Sequence, residues 1–326
     1  MKNFFKDKNV LVTGAAGFIG YHLCTNLLEL EATVTGVDNF ITGRNLIKSN
    51  HDKNFQFIEA DVNTPLKNYL PSKSRFDLIL HFASPASPPR YQAHPRETYL
   101  VNSLATDMLL AYLKETNPQA RFLFASTSEI YGDPKEHPQK ESYWGNVNPN
   151  GPRSCYDESK RLGETICGVY DRDFEMDVRI VRIFNTFGPR MDPDDGRVIP
   201  NFIKQALNDQ PLTIYGDGLQ TRSYCYINDL VRGILSFATI ENLKGETINL
   251  GNPKEMTVLE TAKIILQQIR PQAKDNFVFK DLPKDDPTRR RPDISKAKHL
   301  LNWEPEVDFE IGLVKTIEYF KTIKIL

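Results

Sequence analysis

The chain has 326 residues, 40% of them hydrophobic and 25% charged, which is enough for one large globular domain or two unequal ones. Its 41 basic residues balance 42 acidic ones, so nothing favours a nucleic-acid partner or a membrane surface. No apolar stretch in the sequence is long enough to span a bilayer, and the N-terminus leads into a strand without room for a signal peptide.

Four cysteines, Cys24, Cys155, Cys167 and Cys225, have neither paired spacing nor the spacing of metal ligands. We therefore expect reduced thiols, no metal site and a cytoplasmic protein. Cys155 precedes a tyrosine of interest, but no companion base lies near it in the sequence, so nucleophilic catalysis by this thiol is not favoured.

Short apolar runs alternate with segments of helical periodicity along the first half of the chain. The predicted strands are residues 9–13, 32–37, 55–58, 76–82, 121–125 and 178–183. Strands that alternate with helices favour an α/β fold with a doubly wound parallel sheet of the Rossmann type. No sequence repeat or low-complexity segment interrupts the pattern.

A glycine loop, Gly14-Ala-Ala-Gly17-Phe-Ile-Gly20, lies between the first predicted strand and a helix. Its glycines let the backbone turn tightly and approach a pyrophosphate, whose charge then meets the helix N-terminus. Asp38 ends the next strand, where a carboxylate accepts the ribose hydroxyls and repels a 2′-phosphate. Arg44 is a nearby cation for such a phosphate, but the acidic strand end favours NAD over NADP.

Tyr156 and Lys160 lie one helical turn apart on the same face of a predicted helix. A phenol with a pKa near about 10 is not a base at neutral pH, and an ammonium one turn away lowers that pKa. Such pairs are common by chance. This one follows both a dinucleotide loop and the segment Ser126-Thr-Ser-Glu129, so it indicates hydride chemistry.

The amino-acid composition changes near residue 186, where proline and glycine become frequent and arginines cluster. We expect an NAD-binding domain at 1–185 and a smaller C-terminal α/β substrate lobe at 186–326, from which later strands can return to the first domain. Arg190, Arg197 and Arg222 suit bidentate contact with a diphosphate. Asn185 is a polar partner for either the diphosphate or the cofactor.

These motifs together resemble extended short-chain dehydrogenases that act on nucleotide sugars, and the resemblance covers essentially the whole chain. The segments most similar to the UDP-glucuronate decarboxylases, also called UDP-xylose synthases, are residues 83–91, 126–133, 155–160, 182–190, 216–222 and 290–294. Sugar 4,6-dehydratases typically have Thr-Asp-Glu where this chain has Thr127-Ser128-Glu129, and 4-epimerases typically lack the glutamate. A 4-epimerase, a 4,6-dehydratase and a non-catalytic NAD-sensing regulator are the alternatives.

The resemblance implies NAD-dependent conversion of UDP-glucuronate to UDP-xylose through a transient 4-keto intermediate with internal return of the hydride. It implies that Tyr156 takes the C4 hydroxyl proton, that Lys160 binds the nicotinamide ribose, and that Thr127 binds the C4 oxygen. Ser128 and Glu129 would work on the carboxylate side. Whether Glu129 is an acid or an electrostatic destabiliser stays open.

The resemblance also implies further contacts and an assembly. Arg290 would lie near the substrate carboxylate, although the run 289–291 also reads as a solvated basic patch. Tyr91 either contacts the sugar or simply packs, and Asp61 either reads the adenine or makes a turn. The remaining expected contacts are Phe18, Ile19, Asn39, Phe40, Gly43, Val62, Ala83 and Asn102 for the cofactor and Tyr215 for the substrate. The helix at 97–114 and a second near 157 would form the interface of a homodimer.

Overall fold

Seven parallel strands form the central sheet of the computed structural model, which describes residues 1–47, 53–72 and 74–323. They are β1 (Asn9–Thr13), β2 (Thr33–Asp38), β3 (Phe55–Glu59), β4 (Leu78–His81), β5 (Arg121–Thr127), β6 (Asp177–Ile183) and β11 (Thr247–Leu250). Their spatial order is β11-β6-β5-β4-β1-β2-β3, which confirms the Rossmann-type sheet predicted from the sequence.

Helices cover both faces of this sheet. In the described ranges they are α1 (Lys2–Phe5), α2 (Phe18–Glu29), α3 (Pro88–Ala93), α4 (Pro95–Asn102), α5 (Leu104–Thr116), α6 (Ser154–Phe174), α7 (Val198–Leu207), α8 (Ile227–Thr239), α9 (Val258–Ile269), α10 (Ser295–Leu301) and α11 (Phe309–Thr322). In β1, Val10 and Val12 belong to the core on one face and Leu11 to the core on the other. A parallel strand buried on both faces reads as a continuous apolar run, which is why β1 was evident in the sequence.

The C-terminal part of the chain adds three small two-stranded sheets. Their strands are β7 (Thr186–Phe187), β8 (Leu212–Tyr215), β9 (Thr221–Ser223), β10 (Cys225–Tyr226), β12 (Glu255–Thr257) and β13 (Phe277–Lys280). The pairs are β7 with β10, β8 with β13, and β9 with β12. Strand β11 returns to the large sheet beside β6, and α8 packs on α2. The division at residues 185 and 186 stays a prediction.

The single helix predicted at 97–114 is wrong, because two helices, α4 and α5, meet at Ser103. The Ser103 hydroxyl donates to the carbonyl of Tyr99 at 2.6 Å, and the Thr106 hydroxyl donates to that of Asn102 at 2.9 Å. Serine and threonine hydroxyls that bond the carbonyl four residues earlier bend helices. The apolar periodicity continues through this bend, so the sequence pattern did not reveal it.

The strand order reverses between β1 and β4, so the loops that follow these strands diverge and leave a crevice at their carboxyl ends. His81, at the end of β4, spans the gap to α4. Its Nδ1 accepts from the Thr13 hydroxyl at 2.7 Å, and its Nε2 donates to the Val101 carbonyl at 3.0 Å. Burial lowers the pKa of His81 to about 3, so the ring is neutral and structural.

Asp229 on α8 anchors the segment that leads into α11. Its carboxylate accepts from the backbone N–H groups of Glu306 at 3.0 Å and Val307 at 2.9 Å, and its carbonyl accepts from the indole of Trp303. Trp303 is fully buried. Helix α11 carries Tyr319 to the wall of the cavity described below. This anchor therefore connects the core to the ligand site.

We predict that Asp229→Ala lowers the free energy of unfolding by about 2–4 kcal/mol, because it leaves two backbone N–H groups without their acceptor. Urea denaturation measures the loss. The matched control is Glu318→Ala on the exposed face of α11, expected to change stability by less than about 0.5 kcal/mol. Equal losses in the two variants would contradict the anchoring role.

Candidate active site

A cavity of about 1000 Å³ opens at the carboxyl ends of the central strands. This volume is at the upper end of the range for ligand pockets. The predicted site residues that line it are Gly14, Gly17, Phe18, Ile19, Gly20, Gly43, Tyr91, Thr127, Ser128, Glu129, Tyr156, Lys160, Asn185, Arg190, Arg197, Tyr215 and Arg222. The fold therefore collects residues from both halves of the sequence around one space.

Eight other predicted residues are not among those that line the cavity: Asp38, Asn39, Phe40, Asp61, Val62, Ala83, Asn102 and Arg290. Asp61 accepts from the N–H of Asn63 at 2.9 Å, as a turn aspartate does. The amide of Asn102 donates to the Ser159 hydroxyl at 3.0 Å and so joins α4 to α6. Val62 is buried in the core. The roles of these residues at a cofactor stay predictions.

The glycine loop is pressed against the end of β4. Gly14 has a φ of +74°, and a Cβ there would lie 2.7 Å from the Phe82 carbonyl oxygen and 2.8 Å from the Ala83 nitrogen. Gly17 is the N-cap of α2, and a Cβ at Gly20 would collide with the Gly14 carbonyl. The loop thus presents bare backbone and a helix N-terminus to the cavity, which fits a dinucleotide pyrophosphate.

Asp38 shapes the outer edge of this loop by accepting from the N–H of Ala16 at 3.0 Å and of Phe40 at 2.8 Å. Burial raises the pKa of its carboxyl, and these backbone donors oppose the rise. Arg44 pairs with Asp192, Nε to Oδ2, at 3.3 Å, so its charge is balanced within the protein. This arrangement fits an unphosphorylated ribose better than a 2′-phosphate.

Tyr156 lies in the first turn of α6 with its ring stacked on Tyr91, the centroids 5.1 Å apart. Burial raises the pKa of Tyr156, while a hydrogen bond from Thr127 and the charge of Arg197 oppose the rise. The Lys160 ammonium donates to the Ala125 carbonyl at 2.7 Å. Burial is thus the largest influence on the pKa of Tyr156 here, and the role of Lys160 in lowering it stays a prediction.

Lys160 is itself almost fully buried, at 3% exposure. Burial lowers its pKa to about 7, although the nearby Cys167 and Glu164 act to raise it. Its Nζ lies 5.8 Å from the centre of the Tyr156 ring and 4.9 Å from that of Phe124. A lysine with such a pKa exchanges its proton near neutrality, which suits a residue that works beside a proton acceptor.

Glu129, at the end of β5, is held between two arginines. The Nη2 of Arg153 lies 2.5 Å from its Oε2, and the Nη1 of Arg290 lies 2.9 Å from its Oε1. Burial acts to raise the pKa of Glu129, but the charges of Arg153, Arg290 and Arg222 outweigh it and hold the pKa at about 2. The carboxylate is therefore ionised at neutral pH.

Arg290 is neither a surface cation nor a lining residue. It is 1% exposed and lies behind the cavity wall, where it donates to the Ser128 hydroxyl at 3.0 Å and to the Gly132 carbonyl at 2.9 Å. The reading of 289–291 as a solvated basic patch is wrong at this central residue. Arg290 reaches the cavity only through Ser128 and Glu129, which it positions.

Sequence reasoning missed Arg153, which does line the cavity. Besides Glu129 it binds Asp286, Nη1 to Oδ1, at 3.1 Å, and Arg222 binds the other oxygen of Asp286 at 2.8 Å. Arg153 immediately precedes α6, where a cation opposes the helix dipole. This unfavourable position for a positive charge, three residues before Tyr156, was the available signal.

Comparison with known proteins agrees with this geometry. The family model described as the NAD dependent epimerase/dehydratase family matches residues 10–251. The chain belongs to this family. It is 49% identical over 315 residues to UDP-glucuronic acid decarboxylase 1 of Danio rerio, covering 96% of this chain and 72% of the relative. It is 48% identical over 321 residues to UDP-glucuronic acid decarboxylase 2 of Arabidopsis thaliana, covering 97% and 69%.

A solved structure in the same family has the same fold. It is the UDP-glucuronic acid 4-epimerase of Bacillus cereus in complex with UDP-glucuronic acid and NAD, with a TM-score of 0.83 and 31% identity. The alignment covers 96% of this chain and 99% of the epimerase. In the described part of the present chain, no helix has both the length and the apolar character needed to cross a membrane.

Asp157 is a buried carboxyl beside Glu129, and its Oδ1 has no hydrogen-bond partner among the described residues. Burial and the charge of Glu129 raise its pKa to about 8, against the opposing charges of Arg153 and Arg290. An unfolded aspartate titrates near about 3.9. Between these two pH values the carboxyl of the native protein holds a proton that the unfolded chain has released. The free energy of unfolding therefore falls as the pH rises from about 4 to about 8.

We predict that Asp157→Asn raises the melting temperature by roughly 2 °C or more at pH 8 and has little effect at pH 5, because asparagine stays neutral at both. Thermal unfolding followed by circular dichroism at the two pH values measures this. Glu158→Gln, on the next residue of α6, is the control and is expected to give the same small change at both. A gain for Asp157→Asn that does not depend on pH would contradict the prediction.

Proposed function

We propose that this protein is an enzyme that converts UDP-glucuronate to UDP-xylose and CO₂, with NAD as its cofactor. The carrying observation is that residues matching the decarboxylase motifs, Thr127, Ser128, Glu129, Tyr156 and Lys160, line one cavity next to the glycine loop. The 48–49% identity to UDP-glucuronic acid decarboxylases over nearly the whole chain supports the same reading.

In this proposal the glycine loop and the N-terminus of α2 hold the pyrophosphate of NAD. Asp38 receives the adenosine ribose, and Lys160 binds the nicotinamide ribose. When bound, NAD accepts a hydride from C4 of the sugar and later returns it. The fit rests on the open cradle at Gly14, which a side chain would fill, and on the balanced charge of Arg44.

The sugar explains why oxidation must come before decarboxylation. The carboxylate of UDP-glucuronate has no electron sink in the β position, so it does not leave directly. A ketone at C4 makes the group a β-keto acid, and loss of CO₂ leaves an enolate across C4 and C5. Protonation at C5 and return of the hydride to C4 give UDP-xylose, so that the overall reaction consumes one proton and releases CO₂.

The residues at the end of β5 and the start of α6 divide this work. Tyr156 accepts the proton of the C4 hydroxyl, and Thr127, which hydrogen-bonds Tyr156, supports the negative charge that develops on the C4 oxygen. Glu129 is ionised, which favours a role as an electrostatic destabiliser of the substrate carboxylate over a role as an acid. Ser128 lies between Glu129 and the strand end, next to Arg290.

The diphosphate would lie toward the C-terminal part of the chain, where Asn185 and Tyr215 also line the cavity. Arg190 stacks on Tyr21, its guanidinium 4.7 Å from the ring centre. Arg197 is paired with Asp195 at 2.5 Å and Arg222 with Asp286 at 2.8 Å. In this proposal these three guanidinium groups contact the two phosphates.

We also propose a homodimer in the cytoplasm. Tyr99, Leu104 and Leu162 are exposed large apolar residues on α4, α5 and α6, the helices expected at a two-fold interface. The four cysteines are free thiols, which suits a reducing compartment. Sedimentation equilibrium tests the dimer, and Leu162→Glu is expected to shift it to monomer.

A 4-epimerase acting on UDP-glucuronate is the alternative that a specific observation supports, since the similar Bacillus cereus structure is such an epimerase. Both reactions begin with oxidation at C4. The products differ, because an epimerase keeps the carboxylate and inverts C4. The higher identity to decarboxylases, 48–49% against 31%, favours CO₂ release. A dehydratase is less favoured, since the similar dTDP-glucose 4,6-dehydratase structure of Bacillus anthracis is 26% identical.

We predict stoichiometric CO₂ and UDP-xylose from UDP-glucuronate, with no net NADH, when the reaction is followed by NMR with and without added NAD. Tyr156→Phe is expected to lower the rate by about 10²–10⁴-fold, because it removes the proton acceptor. UDP-galacturonate without CO₂ would identify a 4-epimerase and refute the decarboxylase. CO₂ with accumulating NADH would mean that the 4-keto pentose leaves before the hydride returns.

We predict that Asp38→Ser weakens NAD binding about tenfold or more, because it removes the acceptor for the ribose hydroxyls. The measurement is titration with NAD followed by quenching of protein fluorescence, and it needs no turnover. Glu59→Gln, on the residue paired with Asp38 in the neighbouring strand, is the matched control and is expected to bind NAD normally. Equal affinities for NAD in the two variants would contradict a role of Asp38 in binding the cofactor.

A further inference from the structure

Arg153 lies at the centre of a cluster of ion-paired side chains in the wall of the cavity. Its two terminal nitrogens hold different carboxylates: Nη2 binds Glu129 at 2.5 Å and Nη1 binds Asp286 at 3.1 Å. The other oxygen of Asp286 binds Arg222 at 2.8 Å. Asp286 is thus an internal anion shared by two arginines that both line the cavity.

The charges in this cluster do not cancel. Among the described residues it contains the guanidinium groups of Arg153, Arg222 and Arg290 and the carboxylates of Glu129 and Asp286. Burial keeps the pKa of the adjoining Asp157 near about 8, so that carboxyl adds little negative charge at neutral pH. Three guanidinium groups therefore share two carboxylates, which leaves the cluster with a net positive charge that a bound anion would offset.

The position of each arginine decides which one meets a ligand. Arg290 is committed behind the wall to Ser128, Glu129 and Gly132. Arg153 lines the cavity itself and precedes Tyr156 by three residues, so it lies at the end where the sugar is oxidised. Its contact with Asp286 shows that a carboxylate fits against Nη1 while Nη2 stays on Glu129.

We propose that Arg153 selects nucleotide sugars that carry a carboxylate, by binding that carboxylate with the Nη1 that now meets Asp286. The inference deepens the proposed function and rests on it. A guanidinium fork shared between Glu129 and the substrate holds two like charges close together, which a single lysine charge does less well. Arg153 thereby places the leaving carboxylate beside the ionised Glu129.

Binding measurements with matched ligands test this. Calorimetry is carried out on the full chain loaded with NAD and carrying Tyr156→Phe, so that the sugar is not turned over. UDP-glucuronate and UDP-xylose differ only in the carboxylate. Arg153→Met is expected to lower the affinity for UDP-glucuronate at least about tenfold and the affinity for UDP-xylose less than about twofold. The reason is that only UDP-glucuronate loses a charged hydrogen bond. Arg153→Lys is expected to give an intermediate loss for UDP-glucuronate alone.

Two comparison variants sharpen the result. Arg222→Met is expected to lower the affinity for both ligands by the same factor, since both carry the diphosphate. Arg290→Met tests the rival position behind the wall. The inference is overturned if Arg153→Met weakens both ligands equally, or if Arg290→Met is the variant with the loss specific to the carboxylate. Binding of UDP alone and a melting curve report whether each variant is folded, and Arg153→Lys carries the test if Arg153→Met does not fold.

Failure of the proposed function would look different. In that case the unsubstituted protein would release no CO₂ from UDP-glucuronate, whatever the affinity of the Arg153 variants. A protein that releases CO₂ but shows no carboxylate-specific loss in either Arg153 variant would keep the proposed function and lose this inference.

Discussion

Glu129 places an ionised carboxylate in a partly buried position just after β5, and an isolated charge is costly in a protein interior. Arg153 from the start of α6 and Arg290 from the C-terminal part of the chain compensate it. Since these groups come from three distant segments, the charge of Glu129 is compensated only when the C-terminal part packs against the Rossmann sheet. The chemistry of the site and the assembly of the fold thus depend on the same ion pairs.

The order of the strands in the sheet determines which loops line the cavity. Because strand order reverses between β1 and β4, the glycine loop and the residues after β4 diverge, and Gly14 has to pack on the Phe82 carbonyl without a side chain. Strand β5 pairs with β4 on the side away from β1. Thr127 and Glu129, at and just after the end of β5, therefore line the same cavity as the glycine loop. The start of α6, where Tyr156 lies, lines the same cavity as the glycine loop.

The features that the sequence predicted are those encoded by neighbouring residues. The apolar run of β1, the glycine loop and the spacing of Tyr156 and Lys160 are local patterns, and the structure has the corresponding strand, loop and helix. The break at Ser103 was missed because it comes from side-chain bonds to the backbone that leave the apolar periodicity unchanged. Arg153 was missed because its importance comes from Glu129 and Asp286, which lie 24 and 133 residues away in sequence.

The protonation of the tyrosine and lysine pair was also beyond local reasoning. Burial disfavours the phenolate of Tyr156 and the ammonium of Lys160 alike, so it raises the pKa of the tyrosine, lowers that of the lysine and thereby separates the two values. A pair in this state favours the neutral forms, and the phenolate needs positive charge nearby to form. Arg197 supplies part of that charge and comes from beyond residue 186, so the protonation of Tyr156 depends on the C-terminal part of the chain. The protonation of this pair is therefore set by the residues packed around it and not by the Tyr-x-x-x-Lys motif alone.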